Sequence, residues 1–573
     1  MASARTSIMG TRHVVSAGHY LAAHAGFEIL EAGGNAIDAG VAAGIAIEVL
    51  QTDKVNFGGV APQIIFTAKN RKVHCIDGLG VWPKAVTPDY FLKKHAGKIP
   101  PGVERCVVPA APDAWLTALA NFGTMSFGEV ASAATRFASE GYPMHALMSE
   151  FITENIESYR QWPSTRKVYL AKGRPPQPGE VFVQADLGRT LKYMADEERK
   201  AGRRKGRKAG LMAARDAFYK GDIARQVTRF IEREGGLMRF EDFAAFKVNF
   251  EPTVRTRFRD LDLHACGPWS QGPVMPMALN ILKNFDLKAL GHNSPDYIHF
   301  VTEALKLAFA DRHMHFGDPK FVKVPIAGLM SDKYAKWRRS LISAEKAWGE
   351  MPPAGNPKTL AVIENRWMPQ PQSEAEPGPG DTSYLCVIDR HGNAFSCTPS
   401  DGSNYTPIIP GVGIVCSGRG TQSWSDPTHP SSVAPGKRPR LTPSPAMAFK
   451  NGKAYMPFGT PGGDVQPQAM LQVLLNVSVF GMDPQSAIDA PRFANYSYPG
   501  SFEPHKYYPG RLYIESQVGA STRDALVSRG HKVYEWPDST WLAGAVCTIV
   551  ADHKTGVLHG GADARRPAYV LGW

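Results

Sequence analysis

Apolar residues recur at helical spacing from residue 17 to residue 50, broken at Gly33 and Gly34 and restarted through Asn35 and Asp38. The pattern predicts two helices, the second filled with alanines that permit close packing against a neighbouring layer. Over 63–76 it turns strand-like: Ile64, Ile65 and Phe66 lead into a Lys69-Asn70-Arg71 turn and a second run ending at Ile76, which reads as a β-hairpin. Helical periodicity returns over 114–141, 187–194, 216–234 and 295–316.

The character changes near residue 368. Residues 368–380 are prolines, glycines and polar filler with almost nothing to bury, and predict an exposed, flexible segment. A strand over 384–388, a turn over 389–393 and a second strand over 394–398 follow at once. A loose tether thus feeds a buried strand through Asp381, Thr382 and Ser383. The remainder returns to short strands with one good helix over 467–479, and no period of 20 to 50 residues marks a repeat architecture.

At 573 residues the chain exceeds one compact core and points to two domains or one large α/β unit. Its 43% hydrophobic and 21% charged residues exclude disorder and collagen-like repeats. No apolar stretch near the start is long enough to span a bilayer, and residues 1–18 lack the apolar core of a secretory signal, so a cytoplasmic location without membrane contact is expected. The net charge of +12 draws seven positive residues from the ten between Arg199 and Lys208. Such a run reads as a solvated loop or helix face, and no aromatic-interleaved stripe accompanies it, so nucleic acid is not an expected partner. Seven scattered cysteines without a Cys-x-x-Cys pair read as buried reduced thiols.

The common catalytic signatures are absent: no Gly-x-Gly-x-x-Gly after a strand, no phosphate-binding loop, no His-Glu-x-x-His and no Gly-x-Ser-x-Gly. What remains is a hydroxyl residue at the head of a strand behind a disposable linker. Inside a chain, Thr382 has no neighbouring base. Cleavage of the Asp381–Thr382 peptide bond would give it a free α-amino group with a pKa of about 7.7 to 8.0, close enough to neutrality to take the hydroxyl proton during attack. Taken alone, a threonine at a strand start is structural, because β-branched residues suit strands. The second element is Phe458-Gly459-Thr460-Pro461-Gly462-Gly463-Asp464. Its consecutive glycines let backbone N–H groups approach a ligand, as an oxyanion hole requires, although a plain turn before a helix has the same composition.

Together these features resemble the γ-glutamyltransferase family of N-terminal-nucleophile hydrolases over nearly the whole chain. The motifs occur in family order: Gly33-Gly34-Asn35-Ala36-Ile37-Asp38-Ala39, Phe218-Tyr219-Lys220-Gly221, Glu303-Ala304-x-Lys306, Asp311-Arg312 and Gly317-Asp318-Pro319. After Thr382 come Asp389-x-x-Gly392-Asn393-Ala394, Lys437-Arg438-Pro439, Pro461-Gly462-Gly463 and Ala490-Pro491-Arg492-Phe493. The resemblance implies a four-layer αββα sandwich and self-cleavage before Thr382, into a large chain of residues 1–381 and a small chain of 382–573. It also implies Gly462 and Gly463 as the oxyanion hole and Ser400 as a hydroxyl supporting the nucleophile. Neither metal nor cofactor enters this chemistry, and the expected partners are a small amide substrate and the two paired chains, or a dimer of such pairs.

Departures from the family fall on substrate recognition. Where the family has Asp-x-Arg-Glu, with the arginine holding a glutamyl α-carboxylate, this chain has Asp77-Gly78-Leu79-Gly80; its Ser-Ser pair is similar to Leu441-Thr442 here. The loop that meets the glutamyl ammonium is Cys416-Ser417-Gly418-Arg419-Gly420-Thr421-Gln422. Arg419 would repel an ammonium and favour a carboxylate, unless it forms an internal ion pair. Arg419, Gln422 and Thr442 are therefore the expected substrate-binding residues. The branch that includes oxamate amidohydrolases resembles the chain most in these runs, which implies hydrolysis of a small carboxylate-bearing amide. A γ-glutamyltransferase or glutathione hydrolase, and an unprocessed non-catalytic family member, are the alternatives.

Overall fold

A computed structural model describes residues 5–372 and 382–573. Two seven-stranded antiparallel sheets form its centre. The first runs in the order Tyr569–Gly572, Val14–Ala17, Leu385–Ile388, Ala394–Cys397, Gln63–Thr67, Lys72–Ile76, Phe250–Glu251. The second runs Ile8–Gly10, Leu558–Ala562, Cys547–Ala551, Lys453–Gly459, Ala446–Lys450, Leu261–Ala265, Val254–Phe258. Both sheets interleave strands from before and after Thr382, so cutting there would leave two chains that share each sheet.

Strand alternation builds the layers. Leu385 and Val387 face an outer core with the helices Ala36–Leu50 and Ala111–Phe122, whereas Tyr384, Cys386 and Ile388 face an inner core shared with Met447, Phe449, Cys547 and Ile549 of the other sheet. The second sheet's far face packs on the helices Val274–Leu282, Pro295–His315 and Gln466–Ser478. The order is helix, sheet, sheet, helix: the αββα sandwich.

The helix Ala36–Leu50 shows why close packing needs those residues. All fifteen of its residues are buried, and a Cβ at Gly40 would stand 2.2 Å from the Phe395 ring. Asn35 caps it by accepting from the Ile37 and Asp38 N–H groups, and the Asp38 carboxylate answers to the Asn35 N–H. Asp389, in the turn after the nucleophile strand, accepts from the Ala36 N–H at 2.9 Å. Two motifs far apart in sequence are thereby one structural joint.

Several expectations change in detail. The helical stretch over 114–141 is three helices, Ala111–Phe122, Phe127–Val130 and Ser132–Glu140, because Gly123 and a Ser126 cap interrupt it. The stretch over 216–234 is two helices that break at Lys220 and Gly221. The start of the expected loose segment is anchored: Pro371 bridges to Tyr507, and the Gln372 N–H donates to the Tyr507 carbonyl. Asp381 and the rest of that segment lie outside the described residues. The basic run spans the end of the helix Ala185–Lys205 and the start of the helix Arg207–Tyr219, with local ion pairs at Arg199 and Lys200, but Arg207 turns inward and donates to the Leu119 and Met125 carbonyls. All seven cysteines are buried free thiols, and among the described residues no helix is long and apolar enough to cross a membrane.

Candidate active site

Thr382 leads into the central strand Leu385–Ile388 and is fully buried. Three backbone contacts fix its approach: the Ser383 N–H donates to the Pro399 carbonyl, the Gly18 N–H to the Tyr384 carbonyl, and Arg566 donates to the carbonyl of Thr382 itself at 2.9 Å. Gly459 of the other sheet leaves room for the Tyr384 ring, which a Cβ there would meet at 2.3 Å.

The Thr382 hydroxyl lies 2.8 Å from that of Ser400. Ser400 is pinned by reciprocal backbone bonds with Val60, and Gly59 is required beside it, since a Cβ at that position would stand 2.2 Å from the Ser400 carbonyl oxygen. Arg419 donates to Ser400 Oγ and pairs with Asp401 at 3.2 Å. Asp401 holds a backbone φ of 110°, in the region that non-glycine residues avoid, and accepts from Ser417 Oγ and the Gly418 N–H. With Ser400 Oγ accepting from the guanidinium, its hydroxyl can donate in turn to Thr382 Oγ1, an arrangement suited to negative charge on that oxygen.

Gly462 and Gly463 lie at the head of the 3₁₀ turn Gly463–Val465, with φ of 118° and 55°, in the left-handed region that favours glycine. A helix start leaves its first N–H groups without intrahelical acceptors, so this turn offers donors. Gln271 secures it, donating to the Gly463 carbonyl at 2.8 Å and the Thr442 carbonyl at 2.9 Å. Asp464 is held by Arg312 and by both the N–H and hydroxyl of Ser501, and these contacts with Arg312 keep its carboxyl below the usual carboxylate range despite burial. Arg440, buried beside Arg312, has its pKa drawn down to about 9 by desolvation first and by the neighbouring guanidinium second.

Both glycines open onto a cavity of about 300 Å³ whose walls include Tyr405, Tyr496, Tyr498, Phe502, Glu503 and Trp541. Thr382, Ser400 and Arg419 are not among the residues that line it, and the Arg419 guanidinium lies 5.5 Å from the ring of Phe502, which is. The cavity wall carries Lys506 and Asp464, while Arg105 packs beside Tyr405 and Arg566 and Lys54 pack against the Trp541 ring. Glu503 is the carboxyl on the same wall whose pKa burial raises.

Thr382 thus touches Ser400 and Ser400 touches Arg419, while Gln422 donates to Thr442 Oγ1 at 2.8 Å and neither of that pair lines the cavity. The internal ion pair of Arg419 with Asp401 is realised. Leu79 and Leu441 belong to one apolar cluster with Trp269 between the sheets, so the two departures from the glutamate clamp fall together. Sequence reasoning missed Asp401, Gln271, Arg566 and the loop over 500–508. Arg438 could have been read as structural from its charge alone: it is buried among Asp77, Asp318 and Glu251.

Matches to known proteins agree with this geometry. The family model for gamma-glutamyltranspeptidase matches residues 22–573. The glutathione hydrolase-like YwrD proenzyme of Bacillus subtilis is 31% identical over 99% of both chains, and the acylase ACY 1 proenzyme of Pseudomonas sp. (strain V22) is 32% identical over 96% of this chain and 92% of its own. The crystal structure of cephalosporin acylase from Bacillus halodurans superposes with a TM-score of 0.86 at 29% identity, over 100% of this chain and 98% of that one. The chain belongs to the gamma-glutamyltranspeptidase family of self-processing N-terminal-nucleophile hydrolases.

Proposed function

We propose that the chain cleaves itself before Thr382 and then hydrolyses an amide whose acyl part carries a carboxylate. The observation that carries this is the contact series Thr382–Ser400–Arg419 at the head of a central strand. In maturation the Thr382 hydroxyl attacks the preceding carbonyl, its C–N bond breaks as an ester forms, and water releases residues 1–381. The freed α-amine then takes the hydroxyl proton as Oγ1 bonds to the substrate carbonyl. The N–H groups of Gly462 and Gly463 receive the oxyanion, the protonated amine of the substrate leaves, and water hydrolyses the acyl ester.

The acyl carboxylate is inferred from charge. Lys506 stands in the cavity wall with Asp464 and Glu503, and Arg105, Arg566, Lys54 and Arg419 pack against the wall's Tyr405, Trp541 and Phe502 rings. Oxamate is the smallest such substrate, and about 300 Å³ also leaves room for a longer acyl chain. Glutathione hydrolysis is the second reading, favoured by the names of several relatives; the buried positions of Leu79 and Leu441 weigh against it. Denaturing gels test processing, with two bands expected from wild type. A panel of oxamate, glutaryl-p-nitroanilide, γ-glutamyl-p-nitroanilide and glutathione tests the substrate. Faster turnover of the last two would replace this reading with the second and leave Thr382 in its role.

A further inference from the structure

Away from the nucleophile, the helix Pro295–His315 and the residue just ahead of the strand Lys532–Trp536 enclose a small set of metal-binding side chains. His299 and Glu303 are four residues apart and share one face of the helix. With His531 they place one ligand atom each within 4.8 Å of the others. His299 and Glu303 have no exposed surface, and His531 retains 2%.

The hydrogen bonds around them orient lone pairs inward. His299 Nε2 lies 2.7 Å from the Ser343 carbonyl, which can only accept, so the proton sits on Nε2 and the Nδ1 lone pair points at His531 Nε2, 2.9 Å away. A carbonyl behind an imidazole is the usual support for a metal-ligating histidine. The Trp348 N–H donates to Glu303 Oε2 at 3.1 Å, and Lys306 donates to Oε1 at 2.8 Å while keeping the Trp348 carbonyl as a second acceptor at 2.7 Å. Each carboxylate oxygen has a further lone pair to offer. His531 Nδ1 is buried without a hydrogen-bond partner among the described residues.

We propose that His299, Glu303 and His531 bind a zinc-type divalent ion. Two imidazole nitrogens and a carboxylate are a donor set suited to zinc, at bond lengths of about 2.0 to 2.2 Å, with a fourth tetrahedral position left to water. Binding requires the His531 proton to move from Nε2 to the unpartnered Nδ1, so that both facing nitrogens offer lone pairs. The Lys306 ammonium beside Glu303 opposes the incoming charge, which makes the site weaker than a dedicated structural zinc site. His299 and Glu303 precede Thr382 and His531 follows it, so the ion would join the two chains after cleavage.

The test uses full-length protein stripped with a chelator, desalted and titrated calorimetrically with zinc chloride. One zinc per chain is expected, with a higher melting temperature than the stripped protein. His531→Asn and His299→Gln should each weaken uptake at least tenfold while self-processing proceeds as in wild type. Wild type that takes up no zinc, or variants that bind it equally well, would overturn the proposal. Should both variants fail to accumulate, cobalt added to stripped wild type decides: intense tetrahedral visible bands support the site, and a pale octahedral spectrum rejects it.

Discussion

The hydroxyls of Thr382 and Ser400 stand 2.8 Å apart, although the residues are eighteen positions apart with a complete hairpin between them. The hairpin brings them together: Leu385 pairs with Cys397, and each nucleophile-side residue lies just beyond that last rung. Thr382→Ala should therefore abolish both self-cleavage and amide hydrolysis, read as a single band on denaturing gels and no turnover. Two chains cut before residue 382 in that variant would disprove the mechanism. Thr382→Ser should keep part of both functions, having lost only the methyl that fixes the rotamer.

Ser400→Ala and Arg419→Met should slow maturation and turnover together. Arg419 acts on Thr382 through Ser400, so its loss reaches both reactions, and a charge-assisted bond of this kind is worth about 1.5 to 3 kcal/mol, or roughly ten- to a hundredfold in rate. Sequence alone predicts that removing Arg419 spares self-processing; the contact with Ser400 predicts that it does not. A time course of band splitting distinguishes the two.

Gly463→Val should lower turnover by about 10² or more, because a β-branched residue disfavours φ of 55° and would shift the residue 463 N–H away from the oxyanion. Unchanged kcat in folded Gly463→Val protein would reduce this turn to a connector.

Gly40→Ala should destabilise the protein by about 1 to 3 kcal/mol, since the added methyl would meet the Phe395 ring at 2.2 Å in a close-packed layer. A lower urea midpoint measures this, and an unchanged midpoint would contradict the packing.

Acid should weaken the fold through buried imidazoles. Burial lowers the pKa of His505 to about 4 and of His313 to about 3, below the unfolded value of about 6.5. Between pH 6.5 and these values the unfolded chain binds protons that the native state refuses, so stability is present above pH 6.5 and is lost as pH falls toward 4. Each ring withdraws up to about 1.4 kcal/mol per pH unit in that window. Urea midpoints at pH 7 and pH 5 should differ accordingly, and His505→Gln should narrow the difference.

The Thr382 strand, the Asp389 turn, the glycine pair and the helix through Ala36 were legible because each is a local pattern: a hydroxyl before an apolar run, a polar turn between strands, φ values that favour glycine. The motifs also carried more structure than chemistry. Arg438 with Asp77 and Asp318, and Arg492 with Asp563, are buried ion pairs that join distant segments.

The sequence by itself determined the family and the alternation that divides residues between two cores, and it singled out Thr382 as the candidate nucleophile, since these depend on order and period along the chain. Only the tertiary structure decided what surrounds Thr382. Arg566 comes from 184 positions later to hold its carbonyl, and Gln271 comes from 192 positions earlier to hold the Gly463 carbonyl. Whether Arg419 faces a substrate or Asp401 also depends on a strained backbone at residue 401 that no local pattern announces. Such contacts follow from how two sheets stack, and stacking is set by the summed packing of the whole core rather than by any window of residues.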